Sequence, residues 1–289
     1  MTWMLAADQG ATDTPAVQWS AGKLRATRES LALEEPLAIE ITYRRGATEV
    51  RRLVATTMRT PGADEDLACG FLFAEGLIAD RGDVDHFHTG DRSSRGEAIV
   101  TVTAALRVPP RESLERVSRS LLTSSACGFC GRPSLESVRP AAADLAASGQ
   151  RWNPAVLIGL PMALRTQQPL FAATGGSHGA ALAAIDGTLV LVREDVGRHN
   201  AVDKVIGAAL AQPAFAFGGH ALVLSGRASF ELTQKAAAAG LPVVVAVGAP
   251  SSLAVRWAAD SGLTLIGFTR EGRFNAYAGA ARISSDGTP

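Results

Sequence analysis

Three short, wholly apolar runs in the second half of the chain, within ALVLSG, LPVVVAVGAP and LTLIGFT, constrain the fold more than any other feature. A strand that alternates apolar and polar residues can keep one side in water, whereas a continuously apolar strand has to be covered on both faces. Between these runs, FELTQKAAAAG and SSLAVRWAADSG carry helical spacing, so the segment reads as repeating β-α units around a mostly parallel sheet. Just upstream, GAALAAIDGTLVLVRED reads as a hairpin turning at Asp186 and Gly187, and a helix is predicted from about Asn200 to Ala211. In that helix Val202, Val205, Ile206, Ala209 and Leu210 form one apolar stripe, which puts Asp203 and Lys204 on opposite or flanking faces.

The first half follows a different pattern. PLAIEITYRRGATEVRRLVATTM alternates on either side of Arg45 and Gly46, as an antiparallel pair does. Pro61 and Gly62 end it, and the acidic run Asp64, Glu65, Asp66 opens a helix with Leu67, Phe71 and Ala74 on one side and Cys69 among them. Arg81 to Gly96 reads as a loop or hairpin before the strand AIVTVTAAL, which Pro109 and Pro110 terminate. An amphipathic helix is predicted from Arg111 to about Leu122, then a glycine-flanked loop, SSACGFCGRPS, and an Ala-rich connection.

The expected class is therefore α/β, α+β overall: an N-terminal antiparallel-strand region with helices, then a C-terminal α/β/α domain. The boundaries read as a flexible N-terminus over 1–16, an N-terminal α+β region over 17–125, the CxxC loop and connection over 126–150, and the C-terminal domain over 151–289.

The chain has 289 residues, 28 Lys and Arg against 28 Asp and Glu. This balance leaves no long-range field to attract nucleic acid or an anionic membrane, so neither is an expected partner. Three cysteines are too few for a disulfide scaffold and point to a reducing compartment. No apolar run reaches the roughly 18 residues of a membrane span, and the opening residues lack a signal-peptide pattern. A cytoplasmic location is the expectation.

Cys127 and Cys130, in CGFCG, are the sharpest chemical feature. Two intervening residues let both sulfurs approach each other, and Gly128 and Gly131 permit the turns that expose them. Structural zinc would need further ligands, yet the only other cysteine lies in a predicted helix and no second CxxC or paired His completes a set. A thioredoxin-like dithiol belongs at a helix start after an early strand, not after a helix in mid-chain. A zinc nucleobase deaminase needs a His or Cys two residues before a Glu, and His86, His88 and His178 all lack that glutamate. Covalent sulfur chemistry is favoured, with no metal expected. Cys69, among Leu67, Phe71 and Leu72, reads as a packed core residue.

A second feature is a pair of polar clusters around the later hairpin, TGGSHGA (174–180) and REDVGRHNAVDK (193–204). The latter runs from a strand end into a helix, where free N–H groups and a positive helix end suit an anion, with Arg193, Arg198 and His199 to reinforce them. The alternative is that Asp195 and Asn200 merely cap the helix while the arginines pair with Glu194 and Asp203. FTREGR (268–273) and SGRASFELTQK (225–235) also follow apolar strands, so Ser225, Arg227, Arg270 and Arg273 could converge on the same crevice as a phosphate site.

CGFCG, TGGSHGAAL, REDVGRHNAVDKVIG and AGLPVVVAVGAPSSLAV, in that order, closely resemble the FdhD family of formate dehydrogenase accessory sulfurtransferases. EEPLAIEI and MRTPGADEDLACGFLFAEGLI are similar to the family's N-terminal region, so the likeness runs from about Pro36 to Tyr277. It implies a sulfur carrier that accepts persulfide sulfur from a cysteine desulfurase and passes it to the molybdenum bis-guanine dinucleotide cofactor, Mo-bis(molybdopterin guanine dinucleotide), for formate dehydrogenase. It further implies Cys127 as persulfide carrier with Cys130 assisting, and cofactor binding by Phe268, Thr269, Arg270, Glu271, Gly272 and Arg273, with GDP as a mimic of the cofactor's nucleotide. A homodimer and a C-terminal domain of cytidine-deaminase-like type also follow from the resemblance. The competing readings are a non-catalytic chaperone that only binds the cofactor and its apo-enzyme, and a dithiol oxidoreductase.

Overall fold

The computed structural model describes residues 10–94, 97–111, 145 and 149–284. The helix expected from Arg111 and the CGFCG loop with Cys127 and Cys130 lie outside the described residues.

Ala11–Ser20 (β1) and Lys23–Ala32 (β2) pair as an antiparallel hairpin where the sequence suggests a loose tail through residue 16. Ala21 and Gly22 both have positive φ, +50° and +76°, as a two-residue turn matched to strand twist demands. Val17, Trp19 and Leu24 stay exposed, so no buried face marks these strands in the sequence.

Glu35–Arg45 (β3), Thr48–Arg59 (β4), Val84–Ser94 (β5) and Glu97–Leu106 (β6) form a four-stranded sheet in the order β4-β3-β6-β5. The β3–β4 and β5–β6 pairs are antiparallel hairpins, joined through a parallel β3–β6 pairing. Asp64–Ala74 (α1) covers one face and buries Leu67, Cys69 and Leu72 against Leu37, Ile39, Ile41, Val102 and Ala104. The expected β3–β4 hairpin and the helix around Cys69 are both present.

The second unit begins with two helices, Pro154–Thr166 (α2) and Pro169–Thr174 (α3). Proline obscures both in the sequence, because Pro161 reads as a helix breaker. The start of α2 carries a recognisable signal: Asn153 accepts a hydrogen bond from the Ala155 N–H at 2.8 Å, and Pro154 takes the first helical position. A six-stranded sheet follows, built from His178–Ala183 (β7), Leu189–Asp195 (β8), Ala221–Leu224 (β9), Val243–Ala246 (β10), Thr264–Arg270 (β11) and Arg273–Ala278 (β12), ordered β12-β11-β10-β9-β7-β8. Only β9, β10 and β11 pair in parallel. Short turns make β7–β8 and β11–β12 antiparallel, so the parallel part is narrower than the apolar runs suggest.

Arg198–Leu210 (α4), Phe230–Ala238 (α5) and Ser252–Asp260 (α6) cover one face of this sheet. On the other, α2 buries Leu157, Leu160 and Leu164 beside Trp152. These layers form the expected α/β/α arrangement.

The two units meet where α1 crosses α4. A methyl group on Gly70 would overlap the Asp203 carbonyl, and one on Gly207 would overlap the Asp66 carbonyl. Helix α4 is thus enclosed between its own sheet and α1, and Asp203 and Lys204 are each 2% exposed rather than on a solvent face. Their charges are met internally: Lys204 pairs with Asp195 at 2.7 Å, and Lys235 of α5 with Asp203 at 2.6 Å.

Candidate anion-binding site

The segment from Arg193 to Lys204 ends β8 and starts α4, and most of its charges are engaged within the protein. The Arg193 guanidinium donates two hydrogen bonds to Asp66 on α1, at 3.0 and 2.8 Å. Glu194 caps the short helix α3, accepting from the N–H groups of Leu170 and Phe171 at 2.8 and 2.9 Å and from the Ser177 hydroxyl at 2.7 Å.

Asp195 is fully buried. Its Oδ1 accepts from the Gly197 N–H and Asn200 Nδ2, while its Oδ2 accepts from the Thr60 N–H and Lys204 Nζ. Lys204 also donates to the Thr60 carbonyl at 2.8 Å, and Asn200 Nδ2 to the Met58 carbonyl at 2.7 Å. This hub fastens the end of β4 to the turn that launches α4. Asp195 and Asn200 thus do order the helix start, but Arg193 pairs with Asp66, and among the described residues neither Glu194 nor Asp203 pairs with an arginine. The role of Met58 and Thr60 carries no local sequence signal, because it depends on contacts more than 130 residues apart.

Two residues of the segment remain for other work. Arg198 and His199 open α4, whose N-cap is Gly197 and supplies no side-chain oxygen to the first N–H groups. They face the ends of the parallel strands. The Gly248 N–H donates to the Gly226 carbonyl at 3.0 Å, and the Phe268 N–H to the Gly248 carbonyl at 3.1 Å, so the ends of β9, β10 and β11 are laced together. Glycine is needed here, since a side chain at 248 would run into Arg227 and one at 267 into Pro250 and the Gly248 carbonyl. On the other side, the His178 ring lies against Gly226, and Ser225 Oγ accepts from the Gly179 N–H at 2.9 Å. His178, Arg198, His199 and Arg227 consequently lie close together at one strand-end edge, where open α/β sheets form their binding crevice.

The electrostatics there are unbalanced. Arg198 and Arg227 form no ion pair among the described residues, and the buried Arg198 Nε has no hydrogen-bond partner. Burial holds the His178 pKa below the usual histidine value, and Arg198, His199 and Arg227 depress it further while Asp195 opposes them. His199 is the exception, because its Nε2 meets Glu231 of α5 at 2.8 Å. Ser229 Oγ approaches the same Nε2 at 3.4 Å, so Ser229, His199 and Glu231 cannot form a nucleophile relay, which needs both ring nitrogens.

The stretch from Phe268 to Arg273 spans the end of β11, its turn and the start of β12. Register shifts between Gly267 and Arg270, and Phe268 takes φ +50° with its ring 37% exposed. A left-handed conformation at a bulky residue costs about 1–3 kcal/mol and tends to mark functional loops. Thr269 is buried with its hydroxyl unpartnered, while Arg270 and Arg273 are exposed and face each other across the hairpin. Gly272, at φ +77°, lets the turn close.

Elsewhere among the described residues the chemistry is quiet. Burial pushes the Cys69 thiol up to about 11, which keeps it protonated and inert. A cavity of about 650 Å³ lies on the outer face of the four-stranded sheet, away from the crevice, and its Glu40 and Arg51 already pair with each other. Among the described residues, no three His, Cys, Asp or Glu side chains are grouped to hold a metal. No described helix is long and apolar enough to cross a membrane.

Fold and site together define an α/β protein with a cationic crevice at the ends of its parallel strands. The profile of the FdhD/NarQ family matches residues 32–284, and the chain belongs to that family. The sulfur carrier protein FdhD of Mycolicibacterium paratuberculosis (strain ATCC BAA-968 / K-10) is 46% identical over 269 residues, covering 91% of this chain and 95% of the relative. That of Mycobacterium tuberculosis (strain ATCC 25618 / H37Rv) is 44% identical over 274 residues, covering 92% and 95%. A crystal structure from Desulfotalea psychrophila, assigned as a formate dehydrogenase accessory protein, superposes with a TM-score of 0.70 at 25% identity, covering 95% of this chain and 99% of that one.

Proposed function

We propose that this protein is a sulfur carrier for formate dehydrogenase, which takes persulfide sulfur from a cysteine desulfurase and delivers it to the molybdenum bis-guanine dinucleotide cofactor as substrate. The observation that carries the reading is the set of cationic and polar groups at the strand ends that are unpaired among the described residues: His178, Arg198 and Arg227, with Arg270 and Arg273 on the adjoining hairpin. A nucleotide diphosphate supplies the charge this crevice lacks. The names of the relatives support the sulfur-carrying and accessory roles.

In this reading the Cys127 thiolate attacks the outer sulfur of the desulfurase persulfide. The sulfur–sulfur bond breaks, the desulfurase cysteine leaves as thiolate, and Cys127 becomes the persulfide. Cys130 then attacks the inner sulfur, and the outer one departs as sulfide to the metal. The resulting Cys127–Cys130 disulfide is reopened by a thiol reductant. Phe268, Thr269, Arg270, Glu271, Gly272 and Arg273 hold the guanine nucleotide, with GDP as its mimic. The protein works in the cytoplasm as a homodimer.

Intact-protein mass spectrometry after incubation with a cysteine desulfurase and cysteine tests this. The expected result is the gain of about one sulfur mass, reversed by reductant and abolished in Cys127→Ala. Retention of GDP binding with no sulfur gain would instead identify a cofactor-binding chaperone.

A further inference from the structure

We propose that His178 is a ligand-binding residue of the crevice that takes up a proton as a phosphate group enters, so that the ligand itself completes the positive charge of its site. This rests on the reading of the crevice as a phosphate site and specifies how the site responds to its ligand.

His178 opens β7 and is half-buried against Gly226, where the first strand of the parallel group ends. Neither ring nitrogen has a hydrogen-bond partner among the described residues. A buried imidazole is ordinarily tied to a carbonyl or carboxylate that fixes its tautomer, and this half-buried one has nothing of the kind among the described residues. The charged groups facing it are Arg198 and His199 from α4, Arg227 from the end of β9 and, working against them, Asp195 from the end of β8. Asp195 is already saturated by four donors, one of them Lys204, so it offers little relief. Burial first, and the neighbouring cations after it, therefore disfavour the protonated form of His178.

A phosphate reverses that balance. Two negative charges within reach of Arg198 and Arg227 cancel the repulsion that keeps the proton off. A neutral ring can only offer one N–H to phosphate oxygens, whereas the protonated ring offers a charge-assisted hydrogen bond. Proton uptake and binding are then linked, and the site favours ligands with a terminal or diphosphate charge over monoanions of similar shape.

The experiment is an NMR titration of the imidazole Cε1–H signals in the full-length protein, with and without GDP and, separately, inorganic pyrophosphate; His178→Gln assigns the resonance. The expected result is a His178 pKa below the ordinary histidine value in the free protein that rises by about one unit or more on saturation. Correspondingly, for a rise of about one unit, the ratio of wild-type to His178→Gln affinity for pyrophosphate should grow about three- to fivefold from pH 8 to pH 6. If GDP binds, as seen in shifts elsewhere in the spectrum, while the His178 titration does not move, the proton-uptake inference is wrong and the phosphate crevice stands. If neither GDP nor pyrophosphate binds, the crevice reading fails and this inference with it. Thermal melts of His178→Gln distinguish loss of the ligand contact, with Tm unchanged, from a folding defect.

Discussion

Within a dozen residues of one another along the chain lie two groups of cations with opposite fates. Arg193 is spent on Asp66 of the four-stranded unit, and Lys204 on Asp195, a pair that also holds the Thr60 backbone of that unit. Arg198, with Arg227 close in space, meets no carboxylate among the described residues. The first group behaves as a weld, and the second is the one proposed to receive a ligand. The difference teaches that charge near a helix start is informative only once its internal partners are counted: a cation left unpaired beside an unpartnered histidine points outward to a ligand.

This contrast can be broken most sharply at the weld. Lys204→Met leaves the Asp195 carboxylate buried without its ammonium, and a loss of about 3–5 kcal/mol is expected in denaturant unfolding. Adding Asp195→Leu should recover only a minor part of that loss, because it removes the unpaired charge but leaves the Thr60 and Gly197 N–H groups without their acceptor. Gly207→Ala is expected to cost about 3 kcal/mol by forcing α4 away from α1, read from the same unfolding curves. A mild effect would mean that the crossing is looser than the overlap with the Asp66 carbonyl indicates.

At the receptor the signs reverse. Combining Arg198→Ala with Arg227→Ala should weaken GDP binding about 100-fold in calorimetry, with Tm shifted by no more than about 2 °C. Equal loss of stability would place these arginines with the weld. Phe268→Gly removes the left-handed strain, so stability should hold or rise by up to about 1 kcal/mol while GDP affinity falls.

The smallest effect is one of pH. Because the folded protein holds His178 below its usual pKa, the unfolded chain binds more protons near pH 6. Stability of the ligand-free protein should therefore rise with pH up to about 6.5 and fall below it. His178→Gln should flatten that slope in a pH series of melts.

Much of the fold was legible because its signals are local. The apolar runs of β9, β10 and β11 have to lie in a covered sheet, and Arg45–Gly46 marks the β3–β4 turn wherever the rest of the chain goes. The β1–β2 hairpin escaped notice because burial sets no alternation on strands that stay wet, and α2 because Pro161 imitates a helix end. At the site, Arg198, His199, Arg227 and the 268–273 hairpin were readable as strand-end groups. The destination of Arg193 was not, since Asp66 is 127 residues away and nothing near either residue announces the other. His178 was visible only as part of a polar cluster, because its lack of a partner is a property of the folded surroundings.

The glycine crossing of α1 on α4 also bears on modularity. The chain looks divisible, with one sheet in each half, yet α4 depends on the first half for its outer cover. A C-terminal fragment beginning at 149 would turn the Gly207 flank to solvent and strip Lys204 of the Thr60 carbonyl, leaving an apolar and half-satisfied surface. Such a piece is not a portable module. Grafting, splitting or circular permutation should preserve α1 together with α4 as one inherited part.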